Sequence, residues 1–427
     1  MTKDRYGLTV STNSLPAAEK YFQAMDSALA GNAFSEKWFK EAAILDPRFA
    51  LAQIAHAENL CLQGRKEESN IYKNKAIELS KYTTEREQQH IAIIALLMDG
   101  KNTSALAAII DHVKKYPTDA LLVAKAVGGF GLFAFSGEID SNMQRLQFMN
   151  ALAPAYGNDW WFLSMHSFAF VELFHFKEAK EKVEQSLKLN YGNGHAAHSY
   201  SHVCYETGQN QECIRFASQW LQGYEREAHL YGHIHWHWAL SELSNHNFEK
   251  VKELYQQHLC PSVAKGGAIG LVADAAALQW RSQLKGHNLL APEQSKSLHQ
   301  YTLDNNNNLK DILFGEAHQA LVFTQPHLAA ERENLILEIK NRHQKNAHLK
   351  YELMLNLIEG VTAFSNEDYQ LASTLLATAN PQLERLGGSH AQRDLFEDTL
   401  IHSYLNLGYT VEAAKLIDIR IHRRRHL

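Results

Sequence analysis

A chain of 427 residues with 45% hydrophobic and 21% charged residues has the composition of an ordinary globular protein, and its 8 prolines leave room for long helices. A formal net charge of −5 gives the body of the chain no electrostatic reason to bind nucleic acid or a membrane surface. Cys61, Cys204, Cys213 and Cys260 lack any CxxC spacing, which speaks for reduced thiols over a disulfide framework, and with no apolar signal core or membrane-length run the expected compartment is the cytoplasm.

From about Ala17 the chain reads as amphipathic helices punctuated by single Gly, Asn or Pro residues, with hardly any strand-like alternation. Near the start, Asp46-Pro47 closes one helix and opens the next. The same phrase, a helix end followed by a polar break and a new helix, returns along the chain. Equivalent positions at Ala43, Ala76, Val113, Ala151, Ser186, Trp220 and His258 recur every 33 to 38 residues. Two helices per unit at that period predict an all-α, tetratricopeptide-like helical-hairpin solenoid with a curved inner face.

The stretch from Gly194 to Leu243 carries six histidines, His195, His198, His202, His233, His235 and His237. On a helix, residues four apart share a face, so His198 with His202 and His233 with His237 each form a matched imidazole pair. The two pairs are one repeat apart, which places His202 and His237 at equivalent positions on neighbouring first helices of the array. One further step forward reaches Asp274, and one step back reaches His166, so the period predicts a ladder of His166, His202, His237 and Asp274 along the inner surface.

After Leu284 the pattern loosens. Residues 285–292 and 304–308 read as loops or turns, and helical signal resumes at GEAHQALVF. The expected organisation is one array over 1–427, regular from 17 to 284, looser over 285–349, and ending in helical hairpins over 350–427. The basic terminal run from Arg420 to Leu427 reads as a solvated helix end without a function of its own, its cations suited to the negative end of a helix dipole.

Several phrases, among them HSYSHVCYETGQ, GHIHWHWALSELSNHNFEKVKELY, ADAAALQWRSQLKG, FGEAHQALV and GGSHAQRDLFEDTLIH, stand in the same order as in the tetratricopeptide repeat protein 38 family, which the chain resembles over most of its length. The resemblance implies an all-helical repeat protein. It singles out His198, His202, His233 and His237, the GGSHAQRD phrase with Arg393 and Asp394, and His318.

Three readings of the histidines stand open on the sequence. The first is a groove near residues 198–274 that binds a small molecule or peptide, lined by His198, His202, His233, His237, Trp236 and Trp238. The second is a metal-dependent enzyme, hydrolytic or oxidative, that holds Zn, Fe or Cu with the same four histidines. Asp274, His318, Arg393 and Asp394 would then supply acid, base or ligand-orienting groups. The third is that the imidazoles only pack and hydrogen-bond between helices. Arg393-Asp394 after Gly387-Gly388, with Ser389 as a cap, reads equally as an anion site or a structural pair, and His402 as a core or interface residue. No serine-nucleophile elbow, phosphate-binding glycine loop, dinucleotide fingerprint or HExxH occurs, which argues against the enzyme classes those motifs mark.

Overall fold

The computed structural model describes residues 2–424, so Arg425, His426 and Leu427 of the basic run lie outside the described residues. The chain is all-α, with 23 α-helices among the described residues. A short antiparallel pair, Thr2–Lys3 with Thr9–Val10, precedes the first helix and had no signal in the alternation pattern.

Antiparallel helical hairpins form the repeating unit. Ala50–Leu62 packs on Lys66–Ser80, Trp160–Val171 on Phe176–Leu189, and Gly194–Glu206 on Asn210–Trp220. Tyr231–Ser244 packs on Phe248–Leu254, and Leu349–Ser365 on Tyr369–Ala379. Each of these five turns contains one residue in the left-handed region, namely Gly64, Gly208, Phe174, His246 and Glu367. Only glycine adopts that conformation without strain, so the last three positions each cost about 1 kcal/mol that packing must offset.

Apolar side chains at helical spacing form two large cores. One runs through the N-terminal hairpins as far as Trp161, Phe162 and Ala169, and the other runs from Trp236 to Leu400. Within the first core lies a departure from the repeat. Ala120–Val127 spans only 8 residues, and residues 128–140 form a non-helical connection before Ser141–Tyr156. Its glycines impose the break: a Cβ at Gly131 would stand 2.7 Å from the Ala126 carbonyl oxygen. The run read as a loop at 304–308 also differs in part, because Asn306–Leu309 makes one helical turn that buries Leu309.

The array closes on itself. The helix His390–Asn406, entered through Gly387 and Gly388 in left-handed conformation and capped by Ser389, is buried on nearly every side. The backbone N–H of His390 donates to the Glu172 carboxylate at 2.9 Å, and the Arg393 guanidinium donates to it at 3.1 Å. The last helix, Thr410–Arg424, sends Arg424 to Glu206 at 3.1 Å and to Asp394 at 2.6 Å. In an open solenoid each unit touches only its neighbours. Contacts across 218 residues therefore mean that the concave face is partly filled by the chain's own C-terminal helices. The terminal arginines, expected to be solvated, bind buried carboxylates.

Candidate functional site: four imidazoles between two helices

The helix Gly194–Glu206 starts at Asn193, whose side-chain oxygen accepts from the His195 backbone N–H at 3.1 Å. Asn193 is fully buried and itself held by the Ser186 hydroxyl at 3.1 Å, so the rotational phase of the helix is fixed at its first turn. That phase aims His198 and His202 at the neighbouring helix Tyr231–Ser244, which returns His233 and His237. Small buried residues let the two helices approach: Ala197 and Ser201 on the first, Ser241 on the second. Ser201 and Ser241 bond back to the carbonyls of Ala197 and His237 and so satisfy their own hydroxyls.

The four imidazoles converge. One nitrogen from each of His198, His202, His233 and His237 lies within 4.8 Å of the others. The Nε2 atoms of His198 and His202 are 2.9 Å apart, and the rings of His202 and His237 have centroids 4.3 Å apart. His202 and His237 are 0% and 1% exposed, and the cluster opens slightly to solvent at His198 and His233. Asp274, on the next first helix Ala268–Leu284, receives Nδ1 of His233 at 2.8 Å. The tautomer is thereby set, with the proton on Nδ1 and the lone pair on Nε2. Trp236 stacks on His233 with centroids 5.3 Å apart, and Phe168 closes the other side against His198 and His202.

Burial sets the charge state. Removal from water pushes His198, His202 and His237 well below the usual imidazole range, and the neighbouring imidazoles add to the effect. These rings are neutral at physiological pH, each with one lone pair to give. Both nitrogens of His237 and Nδ1 of His202 have no hydrogen-bond partner although they are buried. Buried polar atoms without a protein partner are uncommon and mark places where something else completes the set.

The remaining sequence candidates fall into distinct places. His318 is fully buried on Leu313–Val322, bonded through Nδ1 to the Phe314 carbonyl at 2.8 Å. Burial pushes it down to about 4, and its Nε2 is unpartnered. Trp236 is wholly enclosed, whereas Trp238 donates to Glu242 at 2.9 Å and carries Lys250 over its ring. His235 points away from the cluster and stacks on His258. His166 bonds to Asn150 at 2.8 Å and makes no ring contact with the four, so the rung expected there does not join them.

Arg393 and Asp394 sit in a second, ionic cluster. Arg393 serves Glu172 and the Gly387 and Gly388 carbonyls. Asp394 faces His390, Arg424 and the Tyr205 hydroxyl. Burial would raise the Asp394 carboxyl, but His390, Arg420 and Arg424 outweigh it and hold the group well below the carboxylate range. Glu206, one turn beyond His202, also faces His390 at 3.3 Å. The spacing of His198, His202 and Glu206 was a sequence signal for that residue; nothing local pointed to Glu172 or His390 as its companions. Because Arg424 already spans Glu206 and Asp394, this cluster is a closed ion-pair network, not a free ligand set.

No family model matches the chain. Among solved structures it is similar to the tetratricopeptide domain of P58(IPK), at 16% identity over 92% of this chain and 99% of that one, with a TM-score of 0.22. It is also similar to the structure of Naa15/Naa10 bound to HypK-THB, at 12% identity over 95% of this chain and 63% of that one, with a TM-score of 0.24. The hairpin succession itself carries the conclusion on fold: the chain is an all-α, tetratricopeptide-like array of helical hairpins.

Proposed function

We propose that this protein is a helical-repeat scaffold built around a transition-metal centre, with His198, His202, His233 and His237 as ligands and Asp274 behind His233. The observation that carries the reading is the convergence of four buried imidazoles whose ligand nitrogens lie within 4.8 Å of one another. Two of these residues hold buried nitrogens that no protein group satisfies. Neutral imidazoles suit Zn, Fe and Cu, and a carboxylate behind a ligating histidine is the usual orienting partner. A bound ion supplies Lewis acidity or redox chemistry there, so a metal-dependent enzyme, hydrolytic or oxidative, follows as the activity to assay. The sequence phrases further support membership of the tetratricopeptide repeat protein 38 family, and four unpaired cysteines support a cytoplasmic setting. Among the described residues no helix is long and apolar enough to cross a membrane.

The test is elemental analysis of protein purified without an affinity tag, before and after loading with Zn or Fe. The expected result is one transition metal per chain, lost in His202→Ala and in His237→Ala. Absence of metal after loading, with melting unchanged by a chelator, would overturn the reading.

A second reading, binding of a small molecule without metal, is favoured by a separate observation. A cavity of about 270 Å³ opens between the C-terminal ends of the His198, His233 and Asp274 helices and the last two helices. Tyr205, Lys285 and His402 line it beside the Arg281–Asp398 and Arg424–Asp394 ion pairs, and Lys285, which meets no carboxylate among the described residues, is the cation placed to receive an acidic small molecule or peptide terminus. Binding that survives chelation and is lost in Lys285→Ala would favour this reading.

A further inference from the structure

Histidines face each other between the two hairpins not twice but three times, the third pair using the turn that precedes Tyr231–Ser244. His195 lies opposite His229 with ring centroids 5.7 Å apart, His198 opposite His233 at 4.9 Å, and His202 opposite His237 at 4.3 Å. The members of each pair are one repeat apart in sequence. Burial rises along the series. His229 is exposed and His195 half-buried; His198 is 9% exposed, while His202 and His237 are at 0% and 1%.

The outer pair is otherwise unused. Neither imidazole of His195 or His229 has a hydrogen-bond partner among the described residues. Gly31, in left-handed conformation at the end of the first helix, packs beside this pair: a Cβ there would touch the His195 ring at 3.4 Å and crowd Leu230 at 3.1 Å. Elsewhere the four-histidine centre is walled by Phe168 and Trp236, and below His202 by the closed network of Glu206, His390 and Arg424. His198 and His233, the partly exposed members of the inner four, are the ones nearest in sequence to the outer pair.

We infer that His195 and His229 form an outer cation site that captures a divalent transition-metal ion from solvent and passes it through His198 and His233 to the inner centre. The inference rests on the four-histidine metal reading. Imidazole nitrogen favours borderline ions such as Zn²⁺, Co²⁺ and Cu²⁺ over Mg²⁺ and Ca²⁺, which prefer oxygen ligands, so the outer pair also selects. His195 precedes His198 by three residues on one helix, a rise of about 4.5 Å, and His229 precedes His233 by four, so transfer can proceed by stepwise ligand exchange: the ion gains a nitrogen of the inner pair as it releases one of the outer, and its charge and electron count do not change.

The test is stopped-flow uptake of Co²⁺ by the full chain after stripping with a chelator, followed by the visible absorption of the bound ion. The double variant His195→Ala/His229→Ala is expected to reach the parent's final absorbance and thermal stabilisation. Its uptake, and its release to excess chelator, should both slow roughly ten-fold or more, the scale on which a group supporting a metal site acts. Uptake at the parent's rate overturns the inference, and so does a lowered end-point, which would make the outer pair part of the centre itself. Should the parent take up no Co²⁺, the metal reading falls and the entry route with it, an outcome distinct from either variant result.

Discussion

Nδ1 of His233 lies 2.8 and 3.0 Å from the two carboxylate oxygens of Asp274, one repeat helix away. The relationship couples three successive first helices, since His233 in turn faces His198 at 4.9 Å. Removing the carboxylate frees the imidazole to rotate away from the other three. Asp274→Ala should therefore weaken Zn²⁺ binding by roughly 10–100-fold with helical content unchanged, and Asp274→Asn by less. Competition against a chelating dye measures the first and circular dichroism the second. Equal affinity in Asp274→Ala would reduce Asp274 to a packing role.

His237 offers a test with two signs. Both its nitrogens are buried and unpartnered, and leaving such a group unsatisfied costs about 1–3 kcal/mol. In metal-free protein, His237→Leu should leave the melting temperature unchanged or raise it. The parent, in contrast, should gain about 2.7 kcal/mol from Zn²⁺ at a hundred times its dissociation constant, and the variant nothing. A metal-free His237→Leu protein that melts well below the parent would show that the ring packs in a way leucine cannot replace.

The cluster makes the metal-free protein acid-sensitive. Burial depresses His198, His202 and His237 in the folded state, whereas in the unfolded chain they titrate near 6.5. Above 6.5 both states are neutral at these positions and stability does not change. Below 6.5 the unfolded chain takes up protons that the folded chain refuses, so stability falls, by about 1.4 kcal/mol per histidine per pH unit, until the depressed folded values are reached. His390 has the opposite sign. Burial alone would lower it, but Asp394 and Glu206 raise it, so its contribution is full below 6.5 and is lost as pH rises through the raised value. Urea unfolding between pH 5 and 8 should show an acid limb that Zn²⁺ suppresses and an alkaline decline that is shallower in His390→Gln. An acid limb unchanged in a His198→Ala/His202→Ala variant would sink the assignment.

The C-terminal arginines close the array, and their loss should be costly. Glu206 is fully buried and Asp394 is 3% exposed, and Arg424 bonds to both. Arg420 and Arg423 do the same for Glu397. Truncation after Asp418 strands these carboxylates, and breaking a buried pair by removing one partner costs roughly 3–5 kcal/mol. Chemical denaturation should report a loss of that size, and Glu206→Gln should recover part of it. A truncated chain as stable as the parent would mean that water reaches these acids.

The amino-acid order alone determined the helical class, the hairpin period and the shared face of each imidazole pair. Those features follow from backbone geometry, where 3.6 residues per turn and a repeat in the mid-thirties fix which residues line up. On that basis His198, His202, His233, His237 and Asp274 could be named before their positions were known. Only the tertiary structure decided how the array bends. In sequence Arg393 and Asp394 read as an anion site, a structural pair or acid and base groups, because the partners they meet, Glu172 for Arg393 and Arg424 for Asp394, lie elsewhere in the chain. Local periodicity carries no record of curvature, and curvature is what brings the C-terminal helices into the concave face. The same limit applies to His229. It lies in the turn before its helix, and only the packing of two hairpins sets it opposite His195.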